Sequence, residues 1–342
     1  VLSGGGAKGA YELGALQALC TKWRGKAPYS IITGTSIGAM NAGFLAQFNQ
    51  NEQCTLGISG MAEFWGKIQS PNDVYRSPSG LHVTQCLNVL DAAPISDGFF
   101  RHGGMCDPSP GYESYTAAVS QSRLSASDMS LHVPASSLAK GQPVWFSDQD
   151  PNIIDGILAS GAIAPLVYPK EVSGSWYVDG GIFHNTPLLK ALEEGATTVW
   201  VILLAPLQNA SQVLVNISRT KDFKGPEIVG FYLDAVNEQM FLAGELREAC
   251  HTYPHASIHA IVPNQTVGAV TDFYPEAIES MRRLGSANVD DAAAVDLCRV
   301  TGLAPDRIRN DGEMVYGLVL GALMGALGVM LGNVATKMFV AL

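Results

Sequence analysis

Three short stretches hold the residues whose types and spacing could do chemistry. "GTSIG" sets Ser36 between Gly34 and Gly38, after the apolar run "YSII" and before the small-residue stretch "IGAMNAG". Strand, tight turn and helix in that order hold a serine hydroxyl on strained backbone as a nucleophile. The glycines are required because side chains at 34 and 38 would strike the flanking strand and helix. At the amino end of a helix beginning near Ile37, Ser36 and any oxyanion formed on it feel the positive end of the helix dipole. A serine that only caps this helix explains the same letter without chemistry.

The second stretch is "SGGGAKGA", residues 3–10. A glycine run between a strand end and a helix start lets the amides of Gly4, Gly5 and Gly6 point into one concavity and hold an anion, as an oxyanion hole does. Gly4, Gly6 and Gly9 also satisfy G-x-G-x-x-G, so a dinucleotide site is the rival. That rival needs an acidic residue about 20 positions further on, at the end of the next strand. Here the next strand ends in Ser36 with no acid, and no Gly-Lys-Ser/Thr follows to make a phosphate loop. Lys8, in the first helical turn, opposes the dipole unless it has an anionic partner or reaches into water.

A serine hydroxyl needs a base. In "WYVDGGIFHNTPLL", residues 176–189, Asp179 ends a short strand and is followed by Gly180 and Gly181, so its carboxylate projects from a tight turn at the rim of a sheet. Alone, a carboxylate is a weak base and must be partly desolvated to serve. His184 shares that turn, whereas a triad histidine has to lie between nucleophile and acid, so a surface or supporting place suits it better. An aspartate beside a glycine is also a common turn residue.

The elements that must position these groups are legible in outline. "YSII", "TTVWVILLAPL" from Thr197 and "ASIHAIVP" from Ala256 read as buried strands. "VLS" reads as the end of another, and "SLHVPASSLAKGQPVWFS" as a hairpin turning through Lys140 and Gly141. "AKGAYELGALQALCTKW" carries Tyr11, Ala15, Ala18, Leu19 and Trp23 near one helical face, and "PEAIESMRRLG" has Pro275 at a helix start and Gly285 at its end. Alternating strands and helices give an α/β fold with a mainly parallel sheet. Residues 51–110, rich in Gly, Pro and Ser, read as an insertion or lid-like region.

Composition narrows the classes. Of 342 residues 47% are hydrophobic and 15% charged, enough apolar mass for a large core and too much for disorder. A formal charge of -10 disfavours nucleic acid and strongly anionic surfaces as partners, because both would repel it at long range. Six scattered cysteines, without a C-x-x-C pair, predict free buried thiols rather than zinc or a disulfide framework.

Taken together, "SGGGAKGAYELG", "GTSIGAMNAG" and "DGGIFHNTP" resemble the patatin-like phospholipases, with "ASGAIAPLVYP" (Ala159–Pro169) and "CDPSP" (Cys106–Pro110) similar to further segments of that family. The resemblance runs from Val1 to about Gly285. It implies a three-layer α/β/α sandwich and a serine–aspartate dyad that works without histidine, metal or cofactor. On this chain it makes Ser36 the nucleophile, Asp179 its base and Gly4, Gly5 and Gly6 the oxyanion hole. Lys8 occupies the family's basic position, with Gly34, Gly38, Gly180 and Gly181 in support. The substrate it implies is a phospholipid or other acyl-ester lipid at a membrane surface. A catalytically silent lipid-binding or scaffolding protein on the same fold is the alternative, which has no need of Ser36, Asp179 and the glycine loop together.

Two features lie outside that pattern. His251, His255 and His259 have helical metal-ligand spacing, but Pro254 interrupts such a helix and the last histidine falls in a strand pattern, so no metal is expected. Residues 286–342 form a separate C-terminal region, in which Met314–Thr336 runs 23 residues without a charge. That length crosses a hydrocarbon core of about 30 Å as a helix. Its glycines, at 317, 321, 325, 328 and 332, expose a flat seam for a membrane-associating or self-associating helix, or for one packed on the catalytic domain.

Overall fold

The computed structural model describes residues 1–77, 98, 100–207, 241–291 and 297–300. The apolar stretch 314–336 and most of the later half of the 51–110 insertion fall outside them. Seven strands organise the described chain: β1 (Ile31–Thr33), β2 (Ser130–Ser137), β3 (Gln142–Ser147), β4 (Lys170–Val172), β5 (Ser175–Asp179), β6 (Thr198–Ile202) and β7 (Ser257–Ile261). β2 is the hub. β1 lies parallel to its first residues, with Ile31 opposite Ser130, and β5 antiparallel to its last, with Asp179 opposite Ala135. β3 runs antiparallel along residues 132–137 of the same strand, which puts it on β2's other edge, since one edge can pair with only one neighbour at a time. Leu2 bridges in parallel to both Gly34 and Ile202, so the chain start links β1 to β6, and β6 pairs in parallel with β7.

The fold is therefore α/β, as the alternation of elements predicts, but its sheet is mixed where a mainly parallel one is expected. Antiparallel pairing enters through two hairpins. One turns through Lys140 and Gly141 as the sequence indicates. The other joins β4 to β5 through Ser173 and Gly174, both at positive φ (50° and 78°), the backbone that a two-residue hairpin turn demands.

Among the described helices that surround this sheet are α1 (Gly9–Lys22), α2 (Ile37–Ala46), α3 (Ile58–Lys67), α4 (Ile153–Ser160) and α5 (Pro275–Asp291). Every residue of α2 is buried, which is why its sequence is small and apolar all round rather than striped. α1 and α5 approach closely: a Cβ on Gly14 would stand 1.8 Å from the Arg282 carbonyl oxygen, and one on Gly285 2.0 Å from that of Tyr11. Gly285 thus sits inside a helix that runs on to Asp291 instead of ending it. The glycine serves backbone contact between helices.

Tyr11, Phe44, Trp65 and Tyr115 are fully buried in the main core. A second cluster under β6 and β7 gathers Leu188, Leu192, Leu246, Ile258 and Leu297. The cysteines correct the expectation of free thiols. Cys20 pairs with Cys54 and Cys250 with Cys298, at Cα separations of 5.5 and 5.6 Å, and Cys106 is disulfide-bonded too. The pairs are 34 and 48 residues apart in sequence, so spacing alone could not reveal their contact.

Candidate active site

Ser36 follows β1 and precedes α2, with φ 56° and ψ -123°, a conformation that non-glycine residues rarely adopt. Its side chain makes no capping bond to α2, so the bland explanation of the serine as a helix cap fails. The turn holds because its neighbours lack side chains: a Cβ on Gly34 would stand 2.4 Å from the Gly38 carbonyl oxygen, and one on Gly38 2.5 Å from that of Leu2. The Ser36 amide donates to Ser160 Oγ at 3.0 Å.

Asp179 closes β5 and is 6% exposed. Its Oδ1 accepts a 2.7 Å hydrogen bond from the Gly181 amide. Burial pushes its pKa up to about 6, while the nearby Ser36 hydroxyl and the Gly181 amide pull it down. The hydroxyl is thus close enough to be felt, yet Oδ2 is buried without a hydrogen bond of full distance and angle. Long or poorly aligned contacts of this kind are common between catalytic groups in the absence of substrate. Gly180 sits beneath the turn, where a Cβ would stand 2.2 Å from the Pro134 carbonyl oxygen.

The glycine loop passes close to both groups. A Cβ on Gly4 would stand 3.2 Å from Ser36 Cβ. The three amides are not equivalent, however. Gly4 N–H is already spent on the Asn185 carbonyl at 2.9 Å, which removes it from an anion-binding row. Gly5 and Gly6 N–H, and that of Ile37 at the first position of α2, find no acceptor among the described residues. Lys8 is 2% exposed, so it does not reach into water.

His184 has a partner of its own. Its Nδ1 lies 2.6 Å from Glu245 Oε1, and its ring tilts over Trp145 at 5.2 Å between centroids. It has no part in the contacts of Asp179. His251 falls in a helix and His259 in β7, and no cluster of three or more metal-ligating side chains occurs among the described residues.

The sequence reading missed the residues that lock these parts together. Ser160 accepts from Ser36 N–H through Oγ and from Gly180 N–H through its carbonyl, so one residue at the end of α4 ties the serine turn to the aspartate turn. Ser3 Oγ contacts Thr186 Oγ1 at 2.8 Å, and Asn185 grips Gly4. Behind the loop, Glu12 is fully buried. Its Oε2 accepts from Asn41 Nδ2 at 2.8 Å, Asn41 Oδ1 accepts from Trp65 Nε1 at 3.1 Å, and burial pushes the carboxyl up to about 8.

Comparison with known proteins gives a family match and a likeness to solved structures. The family model described as Patatin-like phospholipase matches residues 1–66 and 88–192, half of the chain. The crystal structure of VipD from Legionella pneumophila matches with a TM-score of 0.40 and 16% identity over 85% of this chain, a likeness too low to carry an inference. The present chain spans 65% of VipD's length. No curated protein matches.

Proposed function

The chain belongs to the patatin-like phospholipase family, and from that premise we propose that it is a lipid acyl hydrolase that cleaves fatty acyl esters of phospholipids. The supporting observation is a serine hydroxyl on strained backbone, beside a buried carboxyl whose pKa is raised to about 6. Asp179 takes the proton as Ser36 attacks the ester carbonyl. The amides of Gly5 and Gly6, and of Ile37 at the helix start, hold the oxyanion of the tetrahedral intermediate. The alcohol leaves with a proton returned from Asp179. Water, activated by the same carboxylate, then releases the fatty acid from Ser36. The three-layer α/β/α arrangement of the family is the architecture that this reading expects around the site, and a membrane surface is where its substrate would be met.

A raised carboxyl suits this work: the group is more basic than a solvated aspartate yet still ionised near neutrality. The test is release of fatty acid from phosphatidylcholine vesicles and from a soluble p-nitrophenyl ester. Wild type turns over both, and Ser36→Ala neither. Equal release by Ser36→Ala overturns the proposal.

A further inference from the structure

Resting on the hydrolase reading above, we infer that Asn185 is a positioning residue, which fixes the peptide planes of the glycine loop so that the Gly5 amide is presented to substrate. Asn185 takes both polar backbone groups of Gly4. Its carbonyl accepts from Gly4 N–H at 2.9 Å, and its Nδ2 donates to the Gly4 carbonyl oxygen at 3.3 Å. A trans peptide is planar, with its C=O and N–H on opposite sides. Holding the Gly4 carbonyl toward Asn185 therefore turns the Gly5 N–H the other way, where it has no acceptor among the described residues.

The need for such a hold follows from the sequence. A peptide between two glycines rotates with little steric resistance, so nothing in Gly4 and Gly5 themselves selects one orientation. The following peptide is fixed differently: the Gly5 carbonyl accepts from Lys8 N–H at 3.2 Å, which sets the direction of Gly6 N–H. Of these two peptides, the Gly4–Gly5 plane is the one that a side chain holds among the described residues. That side chain also reaches the aspartate turn, since Asn185 Oδ1 would stand 2.4 Å from a Cβ on Gly4 and 2.7 Å from one on Gly181. One amide group thus spaces the anion-binding loop from the turn that carries Asp179.

The test uses Asn185→Ala and the isosteric Asn185→Asp, which keeps the shape but replaces the donor with an oxygen facing the Gly4 carbonyl. With p-nitrophenyl ester hydrolysis expressed per site titrated by a fluorophosphonate, both variants should lose at least 30-fold in kcat, with KM within threefold of wild type. Hydrogen exchange of the peptide covering residues 1–13 should rise in both. A purely structural role would instead lower the titrated fraction and leave kcat per titrated site unchanged. Rates per site within threefold of wild type, or unchanged exchange in residues 1–13, overturn the inference. A wild type that turns over no ester sinks the hydrolase reading itself, and the exchange measurement still decides whether Asn185 holds the loop.

Discussion

Gly4 lies against Ser36: the Cβ position of the one is 3.2 Å from the Cβ of the other. The same position is 2.4 Å from Asn185 Oδ1, so Gly4→Ala must push the loop off the serine, off Asn185, or both. Misplacement of about 1 Å near the reacting atoms costs on the order of 100-fold in rate. Gly4→Ala should accordingly reduce p-nitrophenyl ester turnover per folded molecule by 10-fold or more. A variant at the wild-type rate would mean that the loop has no part in the reaction.

The Gly181 amide on Asp179 Oδ1 and the burial of that carboxyl set the acid limb of activity. Only the ionised carboxylate can take the serine proton, and burial raises its pKa to about 6. Turnover of a soluble ester should rise with pH through about 6 and level off above it. A limb near 4, the range of a solvated aspartate, would show that Asp179 is not the titrating base.

The same shift has a thermodynamic side. A carboxyl whose folded pKa lies above its unfolded value binds more protons when folded, so its contribution to stability is present at low pH and lost as pH rises through about 6. Moving from 3.8 to about 6 corresponds to on the order of 3 kcal/mol. Asp179→Asn carries no charge to bury. Its Tm relative to wild type should therefore increase between pH 5 and pH 8, read by circular dichroism. A Tm difference that is flat with pH would contradict the burial of an ionised Asp179.

Away from the site, Gly285→Ala tests the packing of α5 on α1. The added methyl meets the Tyr11 carbonyl oxygen at 2.0 Å, a backbone atom that cannot swing aside. Overpacking of this kind costs roughly 1–3 kcal/mol. A lowered Tm with unchanged kcat per titrated site is expected. An unchanged Tm would show that the helices are not in contact there.

What the sequence discloses depends on how local each cause is. The serine turn is legible because close approach within a few residues forces glycine at 34 and 38, and the backbone at Ser36 bears the strain that those letters imply. Strands β1, β6 and β7 are legible as apolar runs. The β4–β5 hairpin left a signal that went unread, a Ser-Gly pair between short runs in "KEVSGSWYVD". Gly285 was legible as a special position but not for its reason, because its partner Tyr11 lies on another helix. The spent amide of Gly4 and the anchoring roles of Ser160 and Asn185 were not legible at all, since they rest on tertiary contacts, 124 positions apart for Ser36 with Ser160 and 181 for Gly4 with Asn185. The disulfides, 34 and 48 residues apart, hide because their contacts too are made only by the folded chain.

The most direct measurement is covalent capture of the nucleophile. Incubated with an alkyl fluorophosphonate and mapped by peptide mass spectrometry, the wild-type protein should carry one adduct, on Ser36. Ser36→Ala should carry none, and Asp179→Asn should react at least 100-fold more slowly. An unmodified Ser36 in folded protein, or an adduct on another serine with Ser36 untouched, would contradict the account.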